Sequence, residues 1–463
     1  MKNIYIFDKL NGYVRFFTVL VSLVALLVVS GCQKLLDAAV GQDGMGKGQT
    51  VTVAVTVPQE PPPAVQPLPS IGGQTGGASS QPNRKPVASH LLPTDAVPQN
   101  KFVQAALPQA AESQPPVRPQ RLSVTTADTV LAGKVIAEDL VLRGTVLVKG
   151  SLVVAPQATL KLEPGTVLRF APEPGSSLLP RLVVQGRLVV AGTSQQPVLM
   201  GAAINEPMPA DWGGVVLLAT EKKNQFDHCR IEGAQTGISA HFARFSSRGI
   251  KINRSEIGIA LYDSEASIQQ ADIYRCDTGI RLADSELDLR DSLLHENRQG
   301  VYGVQASFTF SGVQSVKQAQ EGLLADQCRF RIAGCRFAEN RTGARLISGD
   351  GQIVLSRFLD NREHGADFSG TRVRVTNSTF SNNTGSGIVL DNTRGFISGS
   401  ALAANKAYNL QSKGSGSFSA VLNWWGATDS RQVTAGILDT TAKDQTAGVP
   451  FVPFLKERPL TAP

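Results

Sequence analysis

The sequence is poor in aromatic residues, which make up 6% of its 463 residues, and it contains only five histidines and four methionines. We therefore expect no outward column of aromatic rings, no copper site built from histidine, methionine and cysteine, and no bound cofactor. Basic residues form no block and do not alternate with aromatic residues, which argues against nucleic-acid binding. These absences leave open the recognition of a ligand through hydrogen bonds from asparagine, aspartate and arginine side chains.

A short apolar run lies near the N-terminus, over the 14 residues from Phe16 to Val29. Lys2, Lys9 and Arg15 precede this run. The run falls short of the ~20 residues that a membrane-spanning helix needs. Positive charge, a short apolar core and small residues before a cut are typical of a secretory signal. We predict that residues 1–31 are a signal peptide that is removed.

The end of this signal, Val29-Ser30-Gly31-Cys32, resembles the lipobox of bacterial lipoproteins. The resemblance implies that Cys32 becomes the N-terminal, lipid-modified residue and anchors the protein to a membrane. Gln33 follows, rather than an aspartate, which implies the outer membrane, with the protein facing the periplasm or the cell surface. Removal of three basic residues and one acidic residue would leave 42 Lys+Arg from 45 and 37 Asp+Glu from 38, a net charge of +5.

Residues 32–120 have the composition of a disordered tether. Fourteen of the 26 prolines lie between Pro58 and Pro119, among glutamine, alanine, glycine and serine. Such a segment has too little apolar surface to offset the entropy lost on ordering. Residues 49–57 are the exception, because their strict alternation would suit a strand that had found a partner.

The rest of the sequence repeats itself every 21–22 residues. A column of glycines recurs at this period, and asparagine takes its last place: Gly237, Gly258, Gly279, Gly300, Gly322, Gly343, Gly365, Gly387 and Asn409. Asparagine tolerates a left-handed backbone better than most residues, so we expect a positive φ at this column. A period this short means that each repeat must stack on its neighbours to bury an apolar face.

Two apolar columns follow the same period. One runs through Ile231, Ile252, Ile273, Leu294, Val316, Phe337, Phe358, Phe380 and Leu402. The other runs through Ile268, Leu289, Phe310, Ile332, Ile353, Val375 and Ile397. Alternation over only three to five residues predicts short strands with one face inside, each pairing with its equivalent one turn later. The predicted fold is all-β, a single-stranded parallel β-helix of about 21–22 residues per coil.

An inward polar column accompanies the apolar ones. It runs through Cys276, Asn297, Ala319, Asn340, Asn361, Asn383 and Asn405. Side-chain amides stacked at a strand spacing of ~4.8 Å can bond to one another and to the buried backbone of the turn. We predict a structural asparagine ladder at Asn297, Asn340, Asn361, Asn383 and Asn405.

Four further stretches resemble the right-handed parallel β-helix repeat proteins of bacterial envelopes. They are "GTVLVKGSLVVAPQATLKLEPGTVLRF" with "DWGGVVLL" near the start, and "LNWWG" with "VPFVPFL" near the end. The resemblance implies N-terminal coils over residues 121–225, regular coils over 226–420 and a capping segment over 421–463. It also implies the right hand, which parallel crossovers favour.

The best candidates for chemistry are two Asp-Ser-Glu tripeptides one coil apart. The spacing of 21 residues should place Asp263 over Asp284 and Glu265 over Glu286. Stacked carboxylates at this distance favour a cation or a raised pKa, so the pattern allows a calcium ion at Asp263 and Asp284. It equally fits a solvated turn, or the catalytic set of a lyase, hydrolase or epimerase that acts on polysaccharide.

The four remaining cysteines have inward positions, where cysteine behaves as a small buried apolar residue. Cys328 and Cys335 share a coil, and export leaves open whether they form a disulfide.

Our leading hypothesis is a lipid-anchored, non-catalytic β-helix whose partners are the membrane, through its lipid, and a polysaccharide or an envelope protein. The competing hypothesis is a polysaccharide-acting enzyme.

Overall fold

The computed structural model describes residues 127–414, 416–439 and 448–460. These residues form three parallel β-sheets that run side by side along one solenoid. Each coil gives one strand to each sheet, so a strand pairs with its equivalent in the next coil. The expected parallel β-helix is therefore confirmed, with thirteen strands in two of the sheets and fourteen in the third. The predicted signal peptide, the predicted tether and the alternating segment 49–57 lie outside the described residues.

The first sheet, sheet A, consists of Thr129–Ala132, Thr145–Lys149, Val167–Ala171, Val198–Ala202, Cys229–Glu232, Lys251–Asn253, Asp272–Tyr274, Leu293–His295, Gln314–Val316, Arg336–Ala338, Arg357–Leu359, Thr379–Ser381 and Ala401–Ala403. Sheet B consists of Val135–Ile136, Leu152–Val154, Arg181–Val184, Trp212–Leu218, Ala234–His241, Ile257–Tyr262, Thr278–Ala283, Gln299–Val304, Glu321–Asp326, Thr342–Ile347, Ala366–Ser369, Ile388–Asp391, Leu410–Lys413 and Ile437–Asp439. Sheet C consists of Leu140–Leu142, Thr159–Leu162, Arg187–Ala191, Asn224–Asp227, Arg244–Arg248, Glu265–Gln269, Glu286–Arg290, Ser307–Ser311, Arg329–Ala333, Asp350–Val354, Arg372–Thr376, Arg394–Ser398 and Phe418–Ser419.

The core lies between the three sheets and is built from stacks of identical or similar side chains. Alternation along each strand decides which residues enter the core. Val373 and Val375 are buried, whereas Arg372 and Arg374, which alternate with them, point to solvent. The predicted column from Ile268 to Ile397 is paired in register throughout and fully buried.

The other predicted apolar column is correct except at one place. Leu294 pairs with Ser315, and Ser315 with Phe337, so Ser315 lies inside and the predicted Val316 lies on the outer side of the strand. Ser315 donates its hydroxyl hydrogen to the carbonyl of Gly322 at 2.9 Å, which satisfies it in the core. Beyond it, the rings of Phe337, Phe358 and Phe380 form a continuous internal stack.

The glycines of the predicted column lie over one another in successive coils, as expected, but the positive φ predicted for them is wrong. The described glycines with positive φ lie elsewhere, and none of them belongs to this column. Its glycines are required by close packing between coils: a Cβ on Gly258 would lie 2.4 Å from the carbonyl oxygen of Gly279 and 2.8 Å from a methyl group of Ile273. A side chain at these positions would force neighbouring coils apart.

The C-terminal segment covers the last coil. A short helix, α1 (Ser430–Ala435), is capped by Asp429, whose carboxylate accepts from the N–H groups of Arg431 and Gln432. Farther on, Ala420 donates to the carbonyl of Pro450 at 2.7 Å, and Leu422 donates to that of Pro453 at 2.6 Å. These bonds pair backbone groups that an open sheet edge would expose. Within the described residues, no helix is long and apolar enough to cross a membrane.

Candidate functional site

The predicted carboxylates lie at the corner where the chain turns from sheet B into sheet C. Asp263 and Asp284 occupy equivalent turn positions with φ of 47° and 48°, and Glu265 and Glu286 are paired in register at the start of their strands. Ser264 and Ser285 between them are buried, and the Ser264 N–H donates to the Ser285 hydroxyl at 3.1 Å. The structure therefore brings all four carboxylates onto one surface, as the spacing predicts.

This surface is open to solvent. Asp263, Glu265, Asp284 and Glu286 are all exposed, and Arg244 of the preceding coil lies 3.3 Å from the Glu265 carboxylate. Within the described part of the chain, no three histidine, cysteine, aspartate or glutamate side chains are grouped so that they could hold a metal ion. A calcium site at Asp263 and Asp284 thus gains no support from the geometry.

The four carboxylates belong to an open groove of about 1140 Å³, which we call the corner groove. It extends from the turn at 219–221 to Gln327 and Arg329. A second depression shares these two residues and continues along the same corner to Asn392 and Arg394. From here on, the name corner groove covers both depressions, which together follow nine successive coils, a length of about 38 Å at ~4.8 Å a coil. The lining is mostly polar and repeats from coil to coil.

The far half of the corner groove is bordered by arginines that the sequence analysis did not identify. Three coils within a run of four contribute exposed arginines to the outer surface of sheet C, and we call these arginines the arginine face. They are Arg329, Arg331, Arg372, Arg374 and Arg394. Arg329, Arg372 and Arg394 line the groove, whereas Arg331 and Arg374 lie two residues farther along their strands. The signal was the repeated pattern "RFRI" and "RVRV", whose outward residues are all arginine.

The asparagine ladder lies at the corner between sheets A and B, on the inner side. The Asn340 N–H donates to the side-chain oxygen of Asn361 at 3.1 Å, and the Asn361 N–H donates in the same way to Asn383 at 3.0 Å. The ladder continues to Asn405 and begins with the bond from Cys276 to Asn297. These side chains satisfy buried backbone groups, so their role is structural.

One rung of the ladder differs from the prediction. Gln318, and not Ala319, follows Asn297: the Asn297 N–H donates to the Gln318 side-chain oxygen at 2.8 Å. The Gln318 N–H donates in turn to Asn340 at 2.9 Å. The longer glutamine side chain also donates to the carbonyl of Leu294 at 2.7 Å. The asparagine side chains donate in the same way to a backbone carbonyl of the preceding coil.

Two pairs of stacked rings lie on the outer surface, each formed by one tyrosine and one histidine. His241 stacks on Tyr262 with ring centroids 4.8 Å apart, and Tyr274 stacks on His295 at 4.9 Å. Each pair joins two adjacent coils. Neither pair extends to a third ring in the stacks found among the described residues, so they do not form the outward aromatic column whose absence was expected.

The four cysteines of the described residues are buried and free. Cys328 and Cys335 form no disulfide, although they share a coil. Burial raises the pKa of Cys335 to about 11 and that of Cys276 to about 12. Such thiols stay protonated and unreactive at neutral pH, so they act as small core residues.

A separate group of ionisable residues lies on the outer surface of sheet B. Desolvation raises the pKa of Asp367, although Arg345, whose Nε lies 3.6 Å from its carboxylate, opposes the rise. Burial lowers the pKa of His364, and its Nδ1 accepts from the Ser386 N–H at 3.0 Å. This bond requires an unprotonated Nδ1, which leaves the proton on Nε2. No sequence pattern indicated this group, because its properties depend on burial.

Family comparisons agree with this architecture. Residues 134–247 match the family described as "Pectate-lyase like beta helix domain", and residues 321–424 match the "Right handed beta helix region". The chain is a right-handed parallel β-helix repeat protein. No curated protein matches it significantly.

Similar solved structures include epimerases and a lyase. They include a periplasmic alginate epimerase (12% identity over 62% of this chain and 77% of that one, TM-score 0.37). A mannuronan C-5 epimerase A-module of Azotobacter vinelandii is 11% identical over 69% and 91%, with a TM-score of 0.35. A pectate lyase is 13% identical over 66% and 71%, with a TM-score of 0.27. At these identities the likeness is limited to the fold.

Proposed function

We propose that this protein is a lipid-anchored, non-catalytic β-helix that binds a linear polysaccharide along the corner groove. The continuity of the groove over nine coils supports this proposal most directly. Its polar groups recur at the coil spacing of ~4.8 Å, so a polymer of repeating units can make the same contacts many times. A small ligand would use only a fraction of this surface.

The placement of the carboxylates favours binding without catalysis. Acids and bases that transfer protons are usually held in surroundings that shift their pKa towards neutrality, by burial or by a close partner. Asp263, Asp284 and Glu286 are exposed and make no ion pair with another described residue, and Glu265 faces Arg244 across 3.3 Å. These side chains are suited to accept hydrogen bonds from sugar hydroxyl groups.

A second candidate function is a polysaccharide-acting enzyme, and the sheet B group favours it more than the predicted carboxylates do. Asp367 has a raised pKa and lies beside Arg345, and the nearby His364 retains a proton on Nε2. A carboxyl group and an imidazole with such shifts are the residue types used for general acid–base work. In this second candidate the reaction would take place on sheet B, away from the corner groove.

Binding to the groove can be tested by blocking it. The whole chain, with Cys32→Ser to keep it free of lipid, is run in affinity gels that contain a panel of neutral and uronate-containing polysaccharides. We expect Ser307→Trp, which places a bulky ring in the groove, to weaken retention by about tenfold or more, the equivalent of ~1.4 kcal/mol. The matched control is Ser311→Trp, an exposed serine at the other end of the same strand.

The outcomes separate the two candidates. Equal retention of both tryptophan variants, or no retention by any polysaccharide, would refute groove binding. Product formation is followed in the same samples. Turnover that is lost in Asp284→Asn or in Asp367→Asn would replace the non-catalytic proposal by the enzymatic one and would identify which surface is responsible.

The proposed anchor is the lipid on Cys32, with residues 33–120 as a spacer between the outer membrane and the β-helix. We expect Cys32→Ser to move the protein from the membrane fraction to the soluble fraction, because no other lipid-bearing residue is predicted. Fractionation of cells, combined with labelling by a radioactive fatty acid, measures this. A Cys32→Ser protein that remained labelled would exclude the anchor.

A further inference from the structure

The arginine face carries an inference about the ligand. We propose that it is the subsite that receives the carboxylate groups of an anionic polysaccharide, with the sugar chain lying in the neighbouring half of the corner groove. This inference rests on the proposed function, because it assumes that the groove holds a polysaccharide. It adds the chemical class of the ligand and the place where its charges are bound.

The arginines form two columns that a single ligand could contact together. The first column, in register, is Arg329, Asp350, Arg372 and Arg394. The second is Arg331, Gln352, Arg374 and Phe396. Neighbouring coils are ~4.8 Å apart, and positions two residues apart along a strand are about 7 Å apart. A sugar chain that lies in the groove, along the first column, would therefore place its carboxylate groups over the second column.

The charge of this surface is largely unbalanced. Among the outward residues of these four strands, Asp350 is the only acidic one, and it lies 3.5 Å from Arg372. Arg329, Arg331, Arg374 and Arg394 make no ion pair with another described residue. Arg372 and Arg394 are in register on adjacent coils, where like charges repel one another, and a bound anion would reduce this cost. Arginine binds carboxylates through two parallel N–H bonds, which suits uronate groups.

Two features favour a sugar chain over another polyanion. The groove beside the arginines is also lined by Ser348 and Asn392, whose side chains can bond to hydroxyl groups, and Phe396 offers a partly exposed ring to an apolar sugar face. The opposite half of the groove contains Asp263, Glu265, Asp284 and Glu286, which would repel uronate carboxylates, so a polyuronate would bind through a short segment whose remainder extends into solvent. The anionic stretch is therefore confined to the four coils from Arg329 to Arg394.

Neutralisation of the second arginine column tests this inference. In affinity gels with the whole chain carrying Cys32→Ser, we expect Arg331→Gln/Arg374→Gln to weaken retention by polygalacturonate about tenfold and to leave retention by neutral galactan unchanged. The double lysine variant keeps the charge but loses the paired N–H geometry, so its loss should be smaller, about threefold. The matched control is Arg248→Gln/Arg290→Gln, two exposed arginines of sheet C outside the arginine face.

The results distinguish this inference from the proposed function. If galactan is retained but polygalacturonate is not preferred, or if the control variant loses as much as the test variant, the inference is overturned and groove binding stands. Failure of both polymers to bind overturns the proposed function itself. Poly-glutamate serves as an anionic polymer without sugar, and its retention as strongly as polygalacturonate would show that charge alone is recognised and would overturn the sugar assignment.

Discussion

Phe358→Ala is expected to lower the free energy of unfolding by about 3–5 kcal/mol, in the range typical of large-to-small changes in a tight core. Phe358 is fully buried, and its ring lies between those of Phe337 at 5.1 Å and Phe380 at 4.7 Å, all nearly parallel. Alanine would leave a cavity that the two neighbouring coils cannot fill without breaking their strand pairing. Urea denaturation followed by circular dichroism measures the change.

The control for this prediction is a phenylalanine at the surface. Phe242 is 64% exposed at the corner between sheets B and C, and Phe242→Ala should change the stability by no more than about 0.5 kcal/mol. A loss below about 1 kcal/mol for Phe358→Ala would mean that the stack contributes little. Similar losses for both variants would mean that ring size alone, without burial, determines the effect.

The repeat made the fold predictable because each coil imposes the same pairing on the next. Where the period is constant, as from Ile231 to Leu294 in steps of 21, the sequence identifies the stacked residues correctly. Both errors in the columns, Val316 and Ala319, fall in one coil that is a residue longer than those before it. The register places the extra residue after Gln318, whereas the prediction placed it before Val316. Counting residues shows that a coil is one residue longer, but it does not show where in the coil the extra residue lies.

Other parts of the structure could not be read from residue order. Glycine fits a positive φ and a close backbone contact equally well, so the column through Gly258 allowed two explanations, and only the distance to Gly279 chooses between them. The raised pKa of Asp367 depends on desolvation by neighbouring coils. The arginine face, by contrast, was visible: "TRVRVTN" shows that Arg372 and Arg374 point outward, but the search for chemistry considered carboxylates and histidines first.

The largest effect from a polar change is expected at the asparagine ladder, in Asn361→Leu. Asn361 accepts from the Asn340 N–H, donates to the carbonyl of Phe337 at 3.2 Å and donates to the Asn383 side chain at 2.9 Å. Leucine has a similar size but would remove the bonds to the buried Asn340 N–H and the Phe337 carbonyl, whereas the Asn383 side-chain oxygen would keep its bond from the Asn361 backbone N–H. Each group that loses its bond costs about 1–3 kcal/mol, so we expect a loss of about 3–5 kcal/mol in the free energy of unfolding, measured by urea denaturation.

The chain itself provides the matched control, because glutamine occupies one rung of the ladder. Gln318 accepts from the Asn297 N–H and donates to the Leu294 carbonyl. Asn361 makes the equivalent two bonds, with the Asn340 N–H and the Phe337 carbonyl. Asn361→Gln should therefore retain most of the stability and lose about 1 kcal/mol for the extra methylene group. If leucine and glutamine had equal effects, the cost would come from altered packing, and the ladder would not depend on its hydrogen bonds.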